Sequence, residues 1–215
     1  MINNRSVDDS EHTVLLRPYD AYIYDMEYAS FLRDHIEAIV PLSDNEFSIV
    51  QSHFHPRSVL KKDFLIQPGT VVQSEFLVVK GLLKSFCEDD DLKEHILQFA
   101  MEGWWISDYP AYAKQQKGES AVQALEDCVV LELSYADKVA MCDSVPRMYA
   151  FHGKKSFGGY VALQQRVLSL LRNSAKEKYE LLLSQYPQLF QRVPKTLLAH
   201  YLGVSRETLS RLEKR

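Results

Sequence analysis

The C-terminal stretch of the chain, residues 193–215, reads VPKTLLAHYLGVSRETLSRLEKR. Pro194 and Lys195 suit the first turn of a helix, because the N–H that proline lacks has no helical partner there. Gly203 can adopt the left-handed conformation that ends a helix and turns the chain. Ser205 then offers its hydroxyl as the N-cap of a second helix. The stretch therefore predicts two helices joined by a tight turn.

The side chains of these two helices separate into an apolar face and a polar face. The inward residues recur at helical spacing. They are Leu198, Ala199, Leu202, Leu209 and Leu212, with Val204 filling the turn. The outward residues of the second helix are Arg206, Glu207, Thr208, Ser210 and Arg211. A helix with small, polar and basic side chains, held across another helix, is the geometry that enters a DNA major groove. An ordinary α-hairpin at the end of a bundle is the alternative, but it does not require this polar face.

The charges of the chain are sorted along its length. The formal net charge is −4, from 25 Lys and Arg against 29 Asp and Glu. Residues 147–215 carry 13 Lys and Arg against 4 Asp and Glu, a balance of +9, whereas residues 1–146 carry 12 against 25, a balance of −13. A basic excess in one part of a chain indicates a polyanionic partner, and it coincides here with the two predicted helices.

Composition restricts the class of protein. The chain has 215 residues, 46% hydrophobic and 25% charged, which is typical of a globular protein of one large or two modest domains. No apolar run approaches membrane-spanning length and the N-terminus has no apolar signal core, so we expect a cytoplasmic protein. Cys87, Cys128 and Cys142 are widely spaced and odd in number, which argues against a disulfide framework and a clustered zinc or iron–sulfur site.

The part of the chain before residue 146 changes pattern twice. Residues 1–25 are polar without periodicity and predict a loose arm, anchored in places by tyrosines. Residues 26–40 and 43–54 predict two amphipathic helices, the second opening with a capping box at Ser43. Residues 57–133 consist of short apolar segments broken by turn residues, and this rhythm predicts an antiparallel barrel or roll.

Residues 146–173 predict one long helix. Its seam has the 4-3-4-3 spacing of a coiled coil and consists of Phe157, Val161, Gln164, Leu168 and Leu171. A second apolar row lies beside it and consists of Tyr160, Leu163, Val167 and Leu170. A helix that is apolar on two sides needs two covers, one from its own domain and one from elsewhere. We expect a homodimer through the seam, because a symmetric partner is the simplest cover; a helix buried in a monomer is the alternative.

An N-terminal helix, a β-roll, a long linker helix and a C-terminal helix-turn-helix with the segment SRET resemble the Crp/Fnr family of bacterial transcription regulators. The resemblance implies an α+β fold with an antiparallel, cyclic-nucleotide-binding-like jelly roll. It divides the chain into an arm (1–25), a sensor domain (26–145), a dimerisation helix (146–173) and a helix-turn-helix domain (174–215). It also implies a homodimer on a pseudo-palindromic duplex DNA operator, with RNA polymerase as a further candidate partner.

The family's recognition helix contacts bases and phosphates through an Arg-Glu pair and a later Arg, which match Arg206, Glu207 and Arg211. Arginine can donate two hydrogen bonds to guanine, and glutamate can accept one from cytosine. Ser205 and Thr208 suit phosphate or base contacts at a helix N-terminus. The candidate DNA-binding residues are Lys195, Ser205, Arg206, Glu207, Thr208, Ser210, Arg211 and Lys214.

The effector pocket departs from the family pattern. Members that bind cyclic nucleotides carry Gly-Glu-Leu, whose Glu holds the ribose, and then Arg-Ser/Thr-Ala, whose Arg pairs with the phosphate. The matching residues here are 107–109 (SDY) and 119–121 (ESA), so Glu119, or Gly118 if the register slips by one, replaces the arginine. A buried phosphate facing an acidic residue without a cation would be repelled. We therefore predict that cAMP and cGMP do not bind at useful affinity.

The identity of the signal stays open between another ligand, a protein partner and no ligand at all, and no cofactor is predicted. The candidate effector-pocket residues are Trp104, Trp105, Ser107, Asp108, Tyr109, Glu119 and Ser120.

A cupin-like metal-dependent enzyme is the alternative from another class, because cupins share the roll and bind metal through His and Glu on its strands. His53 and His55 have the H-x-H spacing, and Glu75 and His95 lie downstream. However, Pro56 follows at once and the segment has the pattern of a helix end. We therefore expect neither an enzyme nor a metal site.

Overall fold

The structure, a computed structural model, describes residues 18–91 and 93–213, with side chains from residue 28 onward. Two helices precede the sheets, α1 (Pro18–Glu37) and α2 (Asp44–Gln51). The expected loose arm is therefore wrong for residues 18–25, which belong to α1. Proline at a first helical turn explains the earlier start. Residues 1–17 and the tyrosine side chains of the expected arm lie outside the described part.

The start of α2 confirms the predicted capping box. The hydroxyl of Ser43 accepts a hydrogen bond from the backbone N–H of Glu46, and the Glu46 carboxylate accepts one from the backbone N–H of Ser43 at 2.9 Å. Both orphan donors of the first turn are thereby satisfied. The helix ends at Gln51, three residues before the predicted end at Phe54, and the first strand begins at His55.

In the described residues, eight strands form two four-stranded antiparallel sheets, which confirms the predicted roll. The strands are β1 (His55–Val59), β2 (Phe64–Ile66), β3 (Ser74–Lys80), β4 (Leu83–Glu88), β5 (Glu94–Ala100), β6 (Trp105–Ile106), β7 (Ala121–Ala124) and β8 (Cys128–Ser134). One sheet has the order β1-β8-β3-β6 and the other has β2-β7-β4-β5. Their inner faces pack an apolar core that includes Phe76, Val78 and Val122.

Seven helices lie between and after the strands. They are α3 (Tyr109–Lys114), α4 (Tyr135–Ser144), α5 (Arg147–Arg172), α6 (Ala175–Gln185), α7 (Pro187–Arg192), α8 (Lys195–Leu202) and α9 (Arg206–Leu212). The long helix and the two terminal helices lie where the sequence predicts them, whereas the helices α3, α4 and α7 are not anticipated. No helix in the described ranges is long and apolar enough to cross a membrane.

Two further cores attach the helices to the roll. The N-terminal helices, α4 and the first turns of α5 pack around Ile36, Leu77 and Phe151. On the other sheet, roll residues such as Phe86 and Phe99 share one apolar core with the C-terminal helices. The roll therefore sets the position of the helix-turn-helix.

Candidate nucleic-acid interface and effector pocket

The turn between α8 and α9 is built as the sequence indicates. Gly203 follows α8 with φ 64° and ψ 40°, the left-handed conformation that glycine adopts without a Cβ penalty. Leu198, Ala199 and Leu202 are buried on the inner face of α8. Leu209 of α9 is fully buried and Leu212 is half-buried, so the expected inward face is confirmed.

Ser205 caps the N-terminus of α9. Its hydroxyl accepts a hydrogen bond from the backbone N–H of Thr208 at 3.1 Å, and the two hydroxyl groups lie 3.0 Å apart. The cap fixes where α9 begins and therefore which side chains its first turn presents.

The outer face of α9 carries two arginines. Arg206 is exposed and makes no hydrogen bond or ion pair with any other residue in the described ranges. Arg211 is also exposed and makes only a long contact of 3.4 Å with the Thr208 hydroxyl. Neither guanidinium pairs with a carboxylate of residues 18–91 or 93–213, so most of their donors are available to a ligand.

The remaining candidate residues differ in availability. Glu207 is exposed, whereas Thr208 and Ser210 are half-buried. Lys195, at the start of α8, pairs with Glu213 at the end of α9, and Lys214 lies outside the described residues. The pKa of Glu207 lies below its usual range, because its own backbone N–H and Ser205 stabilise the charged carboxylate, with Arg206 and Arg211 nearby.

A charged clamp joins the helix-turn-helix to the roll. The guanidinium of Arg192, at the end of α7, lies 2.8 Å from the carboxylate of Glu102 and 2.7 Å from that of Glu126. Burial alone raises the pKa of Glu102, but hydrogen bonds from Arg192 and from backbone N–H groups outweigh it and the pKa is lowered. Sequence reasoning misses this clamp because its members are far apart in the chain.

The long helix contributes a second contact between the two parts. Arg166 donates hydrogen bonds to the backbone oxygens of Ile96 in β5 and Tyr201 in α8, at 2.8 and 3.2 Å. Its guanidinium also lies 3.6 Å from the centre of the Tyr201 ring. The position of α8, and hence of α9, is therefore tied to both α5 and the roll.

The expected dimer seam is open in the single chain. Phe157 and Leu171 are 68% and 77% exposed, and Leu168 is 40% exposed. Gln164 is also exposed, whereas Val161 is half-buried. Apolar side chains that are aligned along one side of a helix and this exposed to solvent are typical of a surface that another protein surface covers.

The effector residues expected near residue 108 come together around one carboxylate. Asp108 is buried and caps α3, where one carboxylate oxygen accepts from the backbone N–H of Ala111. The other oxygen accepts from the backbone N–H groups of Glu119 and Ser120, at 3.1 and 3.0 Å. Burial raises the pKa of Asp108, but the hydrogen bonds from Ser120, Ala111 and Glu119 outweigh it and the pKa lies below its usual range.

The neighbouring residues adapt to this arrangement. A Cβ on Gly118 would lie 2.8 Å from a carboxylate oxygen of Asp108, so glycine permits the close approach. The buried hydroxyl of Ser107 donates to the backbone oxygen of Ser74, and the side chain of Glu119 is exposed. The backbone N–H groups of residues 119 and 120 thus already hold an anionic group from the chain itself.

Trp104, Trp105 and Tyr109 do not join that cluster. They line a separate cleft between the roll, α5 and the C-terminal helices. The seven residues expected in one effector pocket therefore divide between two places.

The residues considered for a cupin-like metal site do not converge. His53 and His55 both face Asp137, at 3.2 and 3.5 Å. Glu75 pairs with Lys138 and His95 pairs with Asp89. Within the described part of the chain, no group of three His, Cys, Asp or Glu could hold a metal ion.

Comparison with known proteins agrees with this architecture. Residues 56–144 match the family described as the cyclic nucleotide-binding domain. The cAMP-activated global transcriptional regulator CRP of Salmonella typhimurium is 24% identical over 187 residues, which cover 81% of this chain and 88% of that protein. Over most of its length the chain is similar to transcription regulators of the CRP type.

Two solved structures show the same fold. The c-di-GMP-responsive global regulator CLP of Xanthomonas campestris has a TM-score of 0.63 and 18% identity, covering 80% of this chain and 90% of that one. FixK2 of Bradyrhizobium japonicum has a TM-score of 0.65 and 16% identity, covering 75% and 83%. Both likenesses extend from the roll into the helices that follow it.

Proposed function

We propose that this Crp/Fnr-type regulator binds duplex DNA in a sequence-specific manner, with α9 in the major groove. The observation that carries the proposal is the pair of exposed arginines, Arg206 and Arg211, on a helix whose inner face is fixed by Leu209. A guanidinium without a carboxylate partner can donate two parallel hydrogen bonds to guanine. A helix held rigidly by its own core can place those donors in register with base edges.

The other candidate DNA-binding residues would make further contacts to the DNA. Glu207 is ionised at neutral pH and can accept a hydrogen bond from cytosine. Lys195 would contact a phosphate after leaving Glu213, which requires little free energy because exposed ion pairs contribute about 0–1 kcal/mol. Ser205, Thr208, Ser210 and Lys214 would complete the contacts to the DNA backbone.

We propose that the active species is a homodimer joined along the α5 seam. Residues 26–145 then form the sensor, 146–173 the dimerisation helix and 174–215 the DNA-binding domain. A two-fold axis would present two copies of α9 to half-sites about one helical turn apart, on a pseudo-palindrome. RNA polymerase is the further partner that a transcription regulator of this family would contact.

Selection from a random duplex pool tests the DNA proposal. We expect the full chain to enrich a pseudo-palindromic motif, and binding to that motif to weaken steeply as salt rises, because phosphate contacts release counterions. A pool that shows no enriched motif, or binding that is independent of salt, would contradict the proposal.

Sedimentation velocity tests the dimer. We expect the wild-type chain to sediment as a dimer and the Leu171→Glu variant as a monomer, because the charge would be buried at the seam. Leu183→Glu is the matched control, since Leu183 is an exposed leucine on α6 outside the seam. A monomeric wild type, or a dimer that survives Leu171→Glu, would overturn this part.

We also propose that cAMP and cGMP do not bind at Asp108. Its carboxylate would have to leave the N–H groups of Glu119 and Ser120, and no arginine is available there to pair with a phosphate. Isothermal titration of the full chain should give no binding of either nucleotide at micromolar concentration. A micromolar dissociation constant for cAMP would show that the carboxylate can be displaced.

A further inference from the structure

The roll, α5 and the C-terminal helices line a half-open cleft of about 1090 Å³. The roll lines it with Gln98, Trp104 and Trp105, and α8 lines it with Tyr201 and Leu202. Asp108, Glu119 and Ser120 are not among its lining residues, so it is distinct from the nucleotide-type cradle. Small-molecule sites commonly occupy about 300–1,000 Å³, so the cleft can take a ligand of nucleotide size or larger.

The walls of the cleft are rich in aromatic and aliphatic side chains. Trp104 stacks edge-to-face with Tyr186 at 4.9 Å between ring centres, and both lie on the wall. Tyr160, Leu163 and Leu170 of the second apolar row of α5 also line it and are 41–60% exposed. These three residues of the row therefore offer an apolar surface for a ligand.

The charged side chains of the wall are mostly basic. The basic ones are Lys138, Lys154, Lys155, Arg166 and Lys178, and the acidic one is Glu75. Glu75 is already paired with Lys138 at 2.7 Å. Lys154, Lys155 and Lys178 make no ion pair with any residue in the described ranges. Burial lowers the pKa of Lys155, so an anion beside it would stabilise its charge.

One polar atom in the wall lacks a partner. His152 is only 8% exposed and lines the cleft, and its Nε2 makes no hydrogen bond with the described residues. Burial, aided by Lys138, lowers the pKa of His152 to about 3, so its ring is neutral at physiological pH. Buried polar atoms are nearly always satisfied, so the Nε2 of His152 is available to a polar group of a ligand in the cleft.

We infer that this cleft is a binding site for an organic anion with a planar aromatic body. The aromatic part would lie against Trp104 and Trp105, and the anionic group would lie near Lys155 and Lys178. The cleft is walled by both α5 and α8, so occupancy would change the position of α9. That regulatory consequence rests on the proposed DNA-binding function, whereas ligand binding itself does not.

Tryptophan fluorescence provides a direct test, because the chain has two tryptophans and both line the cleft. The probe is 1-anilinonaphthalene-8-sulfonate, and the comparison probe is N-phenyl-1-naphthylamine, which has the same aromatic body without the sulfonate. Energy transfer from tryptophan to each probe is measured on the full chain without DNA. We expect saturable transfer with the sulfonate probe and a dissociation constant that rises with salt.

The charge requirement is tested with a double variant and a matched control. Lys155→Gln with Lys178→Gln should weaken the sulfonate probe about tenfold or more, because two charge-assisted contacts are lost, and should change the neutral probe less than about twofold. Arg172→Gln with Lys176→Gln removes two charges from the same helices outside the cleft and should leave both probes unchanged.

Three results would overturn the inference. The first is an absence of energy transfer with the sulfonate probe, and the second is equal weakening by the two double variants. The third is energy transfer that is absent in the wild type and appears only when Leu171→Glu separates the subunits. That result would show that the second chain of the wild-type dimer fills the cleft. Each result is independent of DNA binding, so the proposed function can stand or fall separately.

Discussion

Two helix N-termini in this molecule use the same capping device in opposite ways. Ser205 caps α9 with its hydroxyl, and the residue that follows, Arg206, is exposed and has no hydrogen-bond or ion-pair partner in the part of the chain that the structure describes. Asp108 caps α3 with one oxygen and turns the other inward to the N–H groups of Glu119 and Ser120. The first end has donors left for another molecule, whereas the second has satisfied its donors within the chain. The sequence motifs locate both helix N-termini. Only the hydrogen bonds show that the N-terminus of α9 is available to another molecule and that the N-terminus of α3 is not.

The largest expected effect is a loss of stability when the cap of α3 is removed. Asp108→Ala should lower the free energy of unfolding by about 2–4 kcal/mol, because it removes a helix cap and leaves two further N–H groups without an acceptor. Urea denaturation measures the loss. Asp108→Asn is the control, because it keeps one acceptor oxygen and should cost less. A loss below about 0.5 kcal/mol for the alanine variant would mean that the carboxylate is not structural.

The next effect concerns DNA binding. Arg206→Ala and Arg211→Ala should each weaken binding to the selected motif by about 1–3 kcal/mol. The free energy of unfolding should change by no more than about 0.5 kcal/mol, because neither side chain supports the fold. Fluorescence anisotropy measures the change in the free energy of DNA binding, and urea denaturation measures the change in the free energy of unfolding. Lys176→Ala, an exposed substitution on α6, is the control and should leave the binding nearly unchanged.

A smaller effect is expected at the cap of α9. Ser205→Ala should lower the free energy of unfolding by about 1 kcal/mol, which is the usual contribution of one serine N-cap. The comparison with Asp108→Ala isolates the inward contacts of Asp108, because both substitutions remove a cap. Equal losses in urea denaturation would show that the N–H groups of residues 119 and 120 find other acceptors.

The smallest effect appears in acid. The pKa of Asp108 is lower in the folded chain than in the unfolded one, so its contribution to stability is present above the unfolded pKa of about 3.9. It is lost as the pH falls through the folded pKa. The difference in unfolding free energy between wild type and Asp108→Asn should therefore shrink from pH 5 to pH 2. A difference that stays constant over this range would contradict the assignment.

Local signals in the sequence predict much of the fold. The left-handed turn at Gly203 and the capping serines at Ser43 and Ser205 depend only on neighbouring residues, and all are found. The strand rhythm of the roll and the length of α5 are also local properties. The start of α1 at Pro18 is misjudged because the residues after it lack helical periodicity.

Contacts between distant residues account for what the sequence does not reveal. Arg192 lies far from Glu102 and Glu126 in the chain, and nothing in their local pattern pairs them. The same holds for the carboxylate of Asp108 and the N–H groups that it satisfies. In the sequence, His152 is one polar residue of a long helix. Only the structure shows that its imidazole is buried and that its Nε2 has no hydrogen-bond partner among the described residues. The sequence therefore predicts most of the fold, whereas the contacts of the candidate site are visible only in the structure.

Repeating the DNA selection with the Arg206→Ala variant tests the central claim most directly, that α9 reads base edges. We expect the variant to enrich the wild-type motif with one symmetric pair of positions relaxed, one in each half-site, and the other positions retained. An unchanged motif would place Arg206 away from the bases and would contradict the assignment of α9 as the recognition helix.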